Sequence, residues 1–171
     1  MSPVTRRRAI GLAVAAAIFL IDQFIKWHMI YTLRLREAVW IELMPFFDLH
    51  WTPNYGVSLG LLKADTMEMR LLLIALTAAI ALFVLIWMLR EKAMADILAL
   101  ALILGGAIGN IRDRMEYGFV VDYIDIHFWG WTPFVFNVAD AAITFGVVII
   151  LARSLLSREK PETAPETAPE S

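Results

Sequence analysis

Residues 71–89 read LLLIALTAAIALFVLIWML, nineteen positions without one charged side chain. At 1.5 Å of rise per residue such a helix is about 28 Å long, close to the roughly 30 Å of a bilayer's hydrocarbon core. Working outward, three more regions have that character. One runs from about Ile10 to Ile30, interrupted by Asp22 and Lys26; one spans roughly Ala93 to Ile111; one covers about Phe134 to Ala152 and carries a single acid, Asp140. The 171-residue chain is 60% hydrophobic and 19% charged, with a mean hydropathy of +0.66, too apolar for a soluble domain of this size. The expected fold is an all-α membrane protein: four transmembrane helices, at about 10–30, 71–89, 93–111 and 134–152, with a small external loop containing β-sheet.

Arg6, Arg7 and Arg8 before an apolar run also fit the start of a cleaved or twin-arginine signal. No small-residue cleavage site follows, however; Asp22, Gln23, Phe24, Ile25 and Lys26 come instead, so a retained helix is expected. With the N-terminus cytoplasmic, the inner segments (1–8, 90–96 and 153–171) hold eight Lys and Arg in 34 residues, and the outer ones (31–70 and 112–134) six in 63. That bias puts both termini inside and two sizeable loops outside. In the first loop, Phe47, Leu49 and Trp51 alternate with Asp48, His50 and Thr52, the period of a strand, and its aromatic rings suit the membrane interface. Residues 1–160 read as one membrane domain. Residues 161–171 repeat Pro-Glu-Thr-Ala without apolar periodicity and are expected to be a disordered cytoplasmic tail.

A net charge of −2 with no basic stripe gives nucleic acid no footprint. The absence of cysteine removes disulfides, thiol nucleophiles and thiolate metal sites. Asp125 and His127, two apart, with His50 remote, read as an exposed strand face and not a ligand set. Asp48 and Asp65, external acids, are expected to matter little.

Polar residues within or beside the spans need partners or a task, since each ionisable group at bilayer depth costs about 2.5–3.5 kcal/mol on insertion scales. They are Asp22, Gln23 and Lys26; Asn110, Arg112, Asp113 and Arg114; and Asn137 and Asp140. In the chosen orientation all fall near outer helix ends, which suggests one polar site at the external face. Asp22 and Lys26 can pair along a helix face, for structure or for function. Gly105 and Gly109, with Gly106, form a small-residue surface for helix packing. Asp113 with its two arginines reads as a helix-end ion cluster, or as a grip on a carbonyl or headgroup.

Asp122, flanked by Val120, Val121, Tyr123 and Ile124, lies in a short strand or an extended entry to the fourth span. Asp140 is expected about two turns into that span, on a face shared with Asn137. A loop containing Gly130 and Pro133 has to fold back to bring the two acids together. Two carboxylates sharing a low-dielectric site hold one proton between them, so one can act as base on a water while the other donates a proton. A proton relay or a pair of structural hydrogen bonders uses the same residue types, and an assembly protein gripping partners with its aromatic loop is a third possibility.

Five blocks, taken in order, resemble one family. They are Asp22-Gln23 with Lys26; Asn54-x-Gly56-x-Ser58; Gly105-Gly106-Ala107-x-Gly109-Asn110 with Asp113-Arg114; Gly118 with Val120-Val121-Asp122; and Phe136-Asn137-x-Ala139-Asp140. The family is lipoprotein signal peptidase, or signal peptidase II, and the likeness covers nearly the whole chain up to the tail. The resemblance implies a membrane aspartyl endopeptidase that cuts before the diacylglyceryl-modified cysteine of bacterial prolipoproteins, without metal or cofactor. It implies Asp122 and Asp140 as catalytic pair, Asn54, Asn110, Arg114 and Asn137 as substrate-binding residues, and Asp22, Lys26 and Asp113 as site support. The partners implied are lipid-modified prolipoproteins and membrane lipid, with no obligate protein partner, at the outer face of the bacterial inner membrane. Two positions depart from the pattern: Tyr123 where Phe is usual, and Leu59 after Ser58 where an aromatic is common.

Overall fold

The computed structural model describes residues 2–56, 66–128 and 134–158. The expectations attached to Ser58, Leu59, Asp65, Gly130, Pro133 and the segment 161–171 lie outside the described residues. Four helices are long and apolar enough to cross a membrane: α1 (Pro3–Trp27), α3 (Met67–Arg90), α4 (Met94–Glu116) and α5 (Val138–Arg158), with a short α2 (Leu35–Ala38) between the first two. Large apolar side chains on α3, among them Leu71, Leu72, Leu76, Ile80, Leu82 and Phe83, are exposed. Water does not tolerate so broad an apolar surface, whereas lipid does.

Helix α4 is the hub. It packs against α1, α3 and α5, and its buried positions include Ile97, Leu100, Ala101 and Leu104 in the main apolar core with Ala81, Val84 and Met88 of α3. Glycines permit the approach: a Cβ on Gly105 would strike the Ala15 carbonyl and Ile18, one on Gly106 the Ala139 carbonyl, and one on Gly146 of α5 the Ala99 carbonyl. Two interfaces, α4 with α1 and α4 with α5, are thus in backbone contact, as the small-residue spacing predicts. At the opposite end from the polar site, Arg153 Nε donates to Asp96 Oδ1 at 2.5 Å and ties α5 to α4.

The sheet has the order β1-β2-β3-β4, every pair antiparallel. Strands β1 (Trp40–Met44) and β2 (Phe47–Asn54) come from the first loop; β3 (Val120–Ile126) and β4 (Val135–Phe136) come from the second. Both loops therefore build the sheet, and not the first alone. The β2–β3 pairing, from Phe47 opposite Ile126 to Asn54 opposite Val120, joins them. Leu49, Val121 and Tyr123 lie beneath with Met29 and Leu35 in a second core, where Tyr123, the departure from Phe, is buried as an apolar residue would be.

Three local expectations shift. Helix α1 starts at Pro3, seven residues before Ile10, because Ser2 Oγ accepts the Thr5 N–H at 3.2 Å and proline suits the first helical position. Helix α5 starts at Val138, not near Phe134, because Val135 and Phe136 are taken by pairing with Asp125 and Ile124, so Asp140 lies in the first helical turn and not two turns in. Asp125 and Asp48, paired across β2 and β3, are both buried. Their strand face is not the exposed one expected: His50 Nδ1 lies 3.6 Å from Asp125, and His127 Nδ1 3.7 Å from Asp48. Asp48 Oδ1 also accepts the Leu43 N–H at 3.1 Å, which holds the β1–β2 hairpin, so Asp48 is not an indifferent position.

Replacing Gly106 with Ala drives a methyl into the Ala139 backbone carbonyl, and Gly11→Ala drives one into Cγ2 of fully buried, β-branched Ile97, which has little rotamer freedom. Each is expected to cost about 1–3 kcal/mol by overpacking. Thermal unfolding in detergent measures both; a wild-type midpoint for Gly106→Ala would mean that α4 and α5 do not meet through Gly106.

Candidate active site

Two buried networks adjoin at the sheet end of the bundle. The first is ionic. Lys26, 1% exposed, lies 2.9 Å from Asp22 Oδ2 and 2.7 Å from Asp113 Oδ2, and both acids are fully buried. Asp22 Oδ1 accepts the Ala139 N–H at 2.9 Å, which ties α1 to the start of α5. Asp113 Oδ2 accepts the Val121 N–H at 3.2 Å, which ties α4 to β3. Gln23 Nε2 donates to Asp22 Oδ2, Asp113 Oδ1 and the Gly109 carbonyl at 3.0–3.2 Å. The ion cluster expected at the end of α4 therefore divides: Asp113 and Arg114 turn inward, while Arg112 stays outside with Glu116 and the side-chain oxygen Oε1 of Gln23.

The second network surrounds Asp122 and Asp140. Asp122 comes from β3 and is 2% exposed; Asp140 comes from the first turn of α5. Asn137 reaches both. Its Nδ2 donates to Asp122 Oδ1 at 2.6 Å, its backbone N–H donates to Asp140 Oδ2 at 3.3 Å, and its Oδ1 accepts the Asp140 N–H at 2.9 Å. The last two bonds are a reciprocal helix cap in which the residue three positions on returns the hydrogen bond, here with Asn and Asp in the two roles. The same local structure that starts α5 thus fixes Asp140.

Asn54 Nδ2 donates to Asp122 Oδ2 at 3.0 Å, and Asn110 Nδ2 to Asp140 Oδ1 at 2.7 Å. Arg114, 9% exposed, donates to the Gly56 carbonyl at 3.2 Å and the Asn110 carbonyl at 3.4 Å, and the Gly56 N–H in turn donates to Asn54 Oδ1 at 3.1 Å. Burial, and then the charge of Asp140, pushes the Asp122 carboxyl from 3.8 up to about 7, against the opposing effect of Asn54, Asn137 and Lys26. One proton on the pair at neutral pH is what such surroundings favour.

All nine residues singled out in the sequence thus fall into these two adjoining networks. Two participants were named in the sequence without a role. Gln23, one of the out-of-place polar residues, bridges both buried acids; Gly56 contributes backbone groups, which leave no mark on side-chain chemistry beyond the Asn-x-Gly spacing.

Fold and site together define a multi-pass membrane enzyme with a paired-carboxylate centre at one end of its helices. A family model described as signal peptidase (SPase) II matches residues 14–156. Lipoprotein signal peptidases from Rhizorhabdus wittichii and Sphingopyxis alaskensis are 53% and 49% identical over 153 and 151 residues, covering 89% and 88% of this chain and 89% and 87% of theirs. Two solved bacterial membrane enzymes share the fold, one at TM-score 0.78 and 24% identity over 94% of this chain and 95% of its own, the other at 0.73 and 25% over 86% and 93%. The chain belongs to the signal peptidase II family, whose members are aspartic-type membrane peptidases.

Asp113→Ala removes one of two counter-charges from a buried ammonium and leaves the Val121 N–H unpaired. Breaking a buried ion pair in this way is expected to cost about 3–5 kcal/mol, read as a fall in membrane abundance and in the unfolding midpoint in detergent. A variant as stable as wild type would show that Lys26 is satisfied without Asp113.

Proposed function

We propose that Asp122 and Asp140 are the pair with which this signal peptidase processes diacylglyceryl-modified prolipoproteins, cutting before the lipid-modified cysteine. The observation that carries the reading is that Asn137 alone holds both carboxylates, its Nδ2 on Asp122 and its backbone N–H on Asp140. Two acids so close together hold a proton in common, one serving as base and the other as acid. The ionised acid takes a proton from water as the oxygen attacks the scissile carbonyl carbon; the protonated one donates to the carbonyl oxygen. The carbon–nitrogen bond then breaks as the acid that took the water proton passes it to the leaving amine. The other acid takes a proton back from a hydroxyl of the tetrahedral intermediate, whose oxygen becomes the product carbonyl. One carboxylate and one protonated carboxyl are thereby restored for the next turnover.

Asn54, Asn110, Arg114 and Asn137 are assigned to the substrate backbone, Asp22, Lys26 and Asp113 to support. Asn54 and Asn110 each commit one amide N–H to an acid and retain a second hydrogen for a substrate carbonyl, whereas the Asn137 amide gives one to Asp122 and one, at longer range, to Asn110. We take residues 1–160 as the peptidase domain and 161–171 as dispensable for activity, with both termini cytoplasmic and the site at the outer face. That placement suits the substrate: its acyl chains, at about 0.8 kcal/mol per buried methylene, hold the scissile bond near the membrane surface. Lipid is therefore part of what is recognised.

Asp122→Asn and Asp140→Asn are each expected to lower the cleavage rate of lipid-modified precursor by about 10² to 10⁴, with normal insertion. The double variant is expected to be scarcely worse than either single one, because groups acting as a unit lose rate non-additively. Size-shift assays with purified protein at matched abundance measure this, and near-normal cleavage by either single variant would end the assignment.

The pH dependence has a definite sign. A carboxyl raised to about 7 keeps its proton below that pH and loses it above, so the acid needed by the carbonyl disappears as pH rises. The kcat/KM profile is expected to fall on the alkaline side with a limb near 7, a property of the pair and not of one residue. A rate flat from about pH 6 to about pH 9 would show that no proton on the pair is required.

A further inference from the structure

Three asparagine amides present their NH2 groups to the two acids, and an amide can be turned either way round. What fixes each one decides whether the carboxylate meets a donor or an acceptor. For Asn54 and Asn137 the arbiter is backbone: the Gly56 N–H and the Asp140 N–H each donate to the amide oxygen, so the nitrogen must face the other way. Asn110 has no such backbone bond. Its Oδ1 lies 3.3 Å from Lys26 Nζ, with the Asn137 NH2 at 3.4 Å as the second neighbour.

From this we infer that Lys26 is a positioning residue for the peptidase reaction: its ammonium, which can only donate, captures the Asn110 oxygen and thereby turns the Asn110 NH2 onto Asp140. This rests on the reading of Asp122 and Asp140 as the catalytic pair, and adds a task to a lysine otherwise assigned to structural support. The geometry leaves Lys26 little else to do at that third position. Two of its hydrogens are used by Asp22 on its own helix and by Asp113 on α4, and the third goes to Asn110, one turn before Asp113 and Arg114. Without the ammonium, the Asn110 oxygen keeps only the longer Asn137 contact, and the amide's orientation is left to that contact and to the bond with Asp140 itself. Rotated by half a turn, it would set its oxygen against the Asp140 carboxylate, repelling the ionised form that the reaction needs. Arg114 does not substitute: its bond to residue 110 is to the backbone carbonyl, which is indifferent to how the side chain is turned.

The test is a cycle of variants on the purified full chain, with kcat, KM and the pH profile read on lipid-modified precursor. Wild type must cleave and Asp140→Asn must not, which checks the underlying reading by itself. Lys26→Met is then expected to lower kcat on the order of 10²-fold, the effect of misplacing a reacting group, with KM little changed. Its pH profile should move to higher pH, since removing a nearby positive charge makes the pair hold its proton longer. In an Asn110→Ala background, the same Lys26 change should add less than about twofold, because residues acting through one another do not add. A merely structural lysine would lower abundance and amplitude while leaving kcat of the folded protein near wild type; that pattern, or losses that multiply with the Asn110 change, overturns the inference. Should Lys26→Met fail to fold, Asn110→Asp decides alone. It keeps an oxygen for Lys26 but offers Asp140 an acceptor where a donor belongs, so kcat should fall on the order of 10²-fold, and an unchanged kcat and pH profile would overturn the inference.

Discussion

Asp22 is fully buried and touches three helices at once. It pairs with Lys26 on α1, accepts the Ala139 N–H at the start of α5, and sits against Gly109 of α4, where a Cβ would strike its Oδ2. A bare carboxylate at such depth is very unfavourable, so the chain is compelled to keep Lys26, and Lys26 in turn needs Asp113. From Asp113 the constraint passes to the Val121 N–H and so to the strand that carries Asp122. The ionic cluster therefore sets the relative positions of β3 and α5, the two elements that supply the paired acids. Packing and chemistry are joined at Gly109: the absence of a side chain that lets α4 approach α1 is also what makes room for Asp22.

The four spans were plain in the sequence because a bilayer demands long apolar runs and little else produces them. Charge asymmetry and the out-of-place polar residues indicated one site at one end. The period-two run around Phe47, Leu49 and Trp51 announced a strand, but its main partner, β3, lies some seventy residues on, and no local pattern records such a pairing. Asp140's depth was misjudged for a related reason. Hydropathy treats Phe134, Val135 and Phe136 as helix, whereas strand pairing claims the last two and the Asn137 cap begins the helix afterwards. The sequence also made Asp48 and Asp125 look like surface acids, since alternation reveals two faces but not which of them a sheet buries. The nine site residues were legible largely through family resemblance; residue types alone left a proton relay equally open.

The two acids are mounted in different ways. Asp122 sits mid-strand, its carboxyl held by amides from β2 and from the residue before α5, while Asp140 sits in a first helical turn whose cap it completes. Neither is on a long flexible loop among the described residues, and both have both oxygens occupied. In the role proposed for them, such mounting matters, because catalytic geometry lost by about 1 Å is lost at great expense in rate. The sheet serves the same end, as β2 brings Asn54 and Gly56 to the site and β3 brings Asp122.

A polar centre near helix ends also answers a problem of access. A site in the middle of the bundle would need water and a peptide bond drawn through hydrocarbon, where unsatisfied backbone groups cost several kcal/mol each. Here the deeper halves of α1, α3, α4 and α5 remain apolar and are packed through Leu100, Leu104, Val84 and Met88, and the polar residues gather where sheet and helices meet. Water is then needed only at that boundary. The buried ions are affordable in energetic terms only because they satisfy one another, so the network that fixes the acids is also what permits an ionic site to exist at the edge of a bilayer.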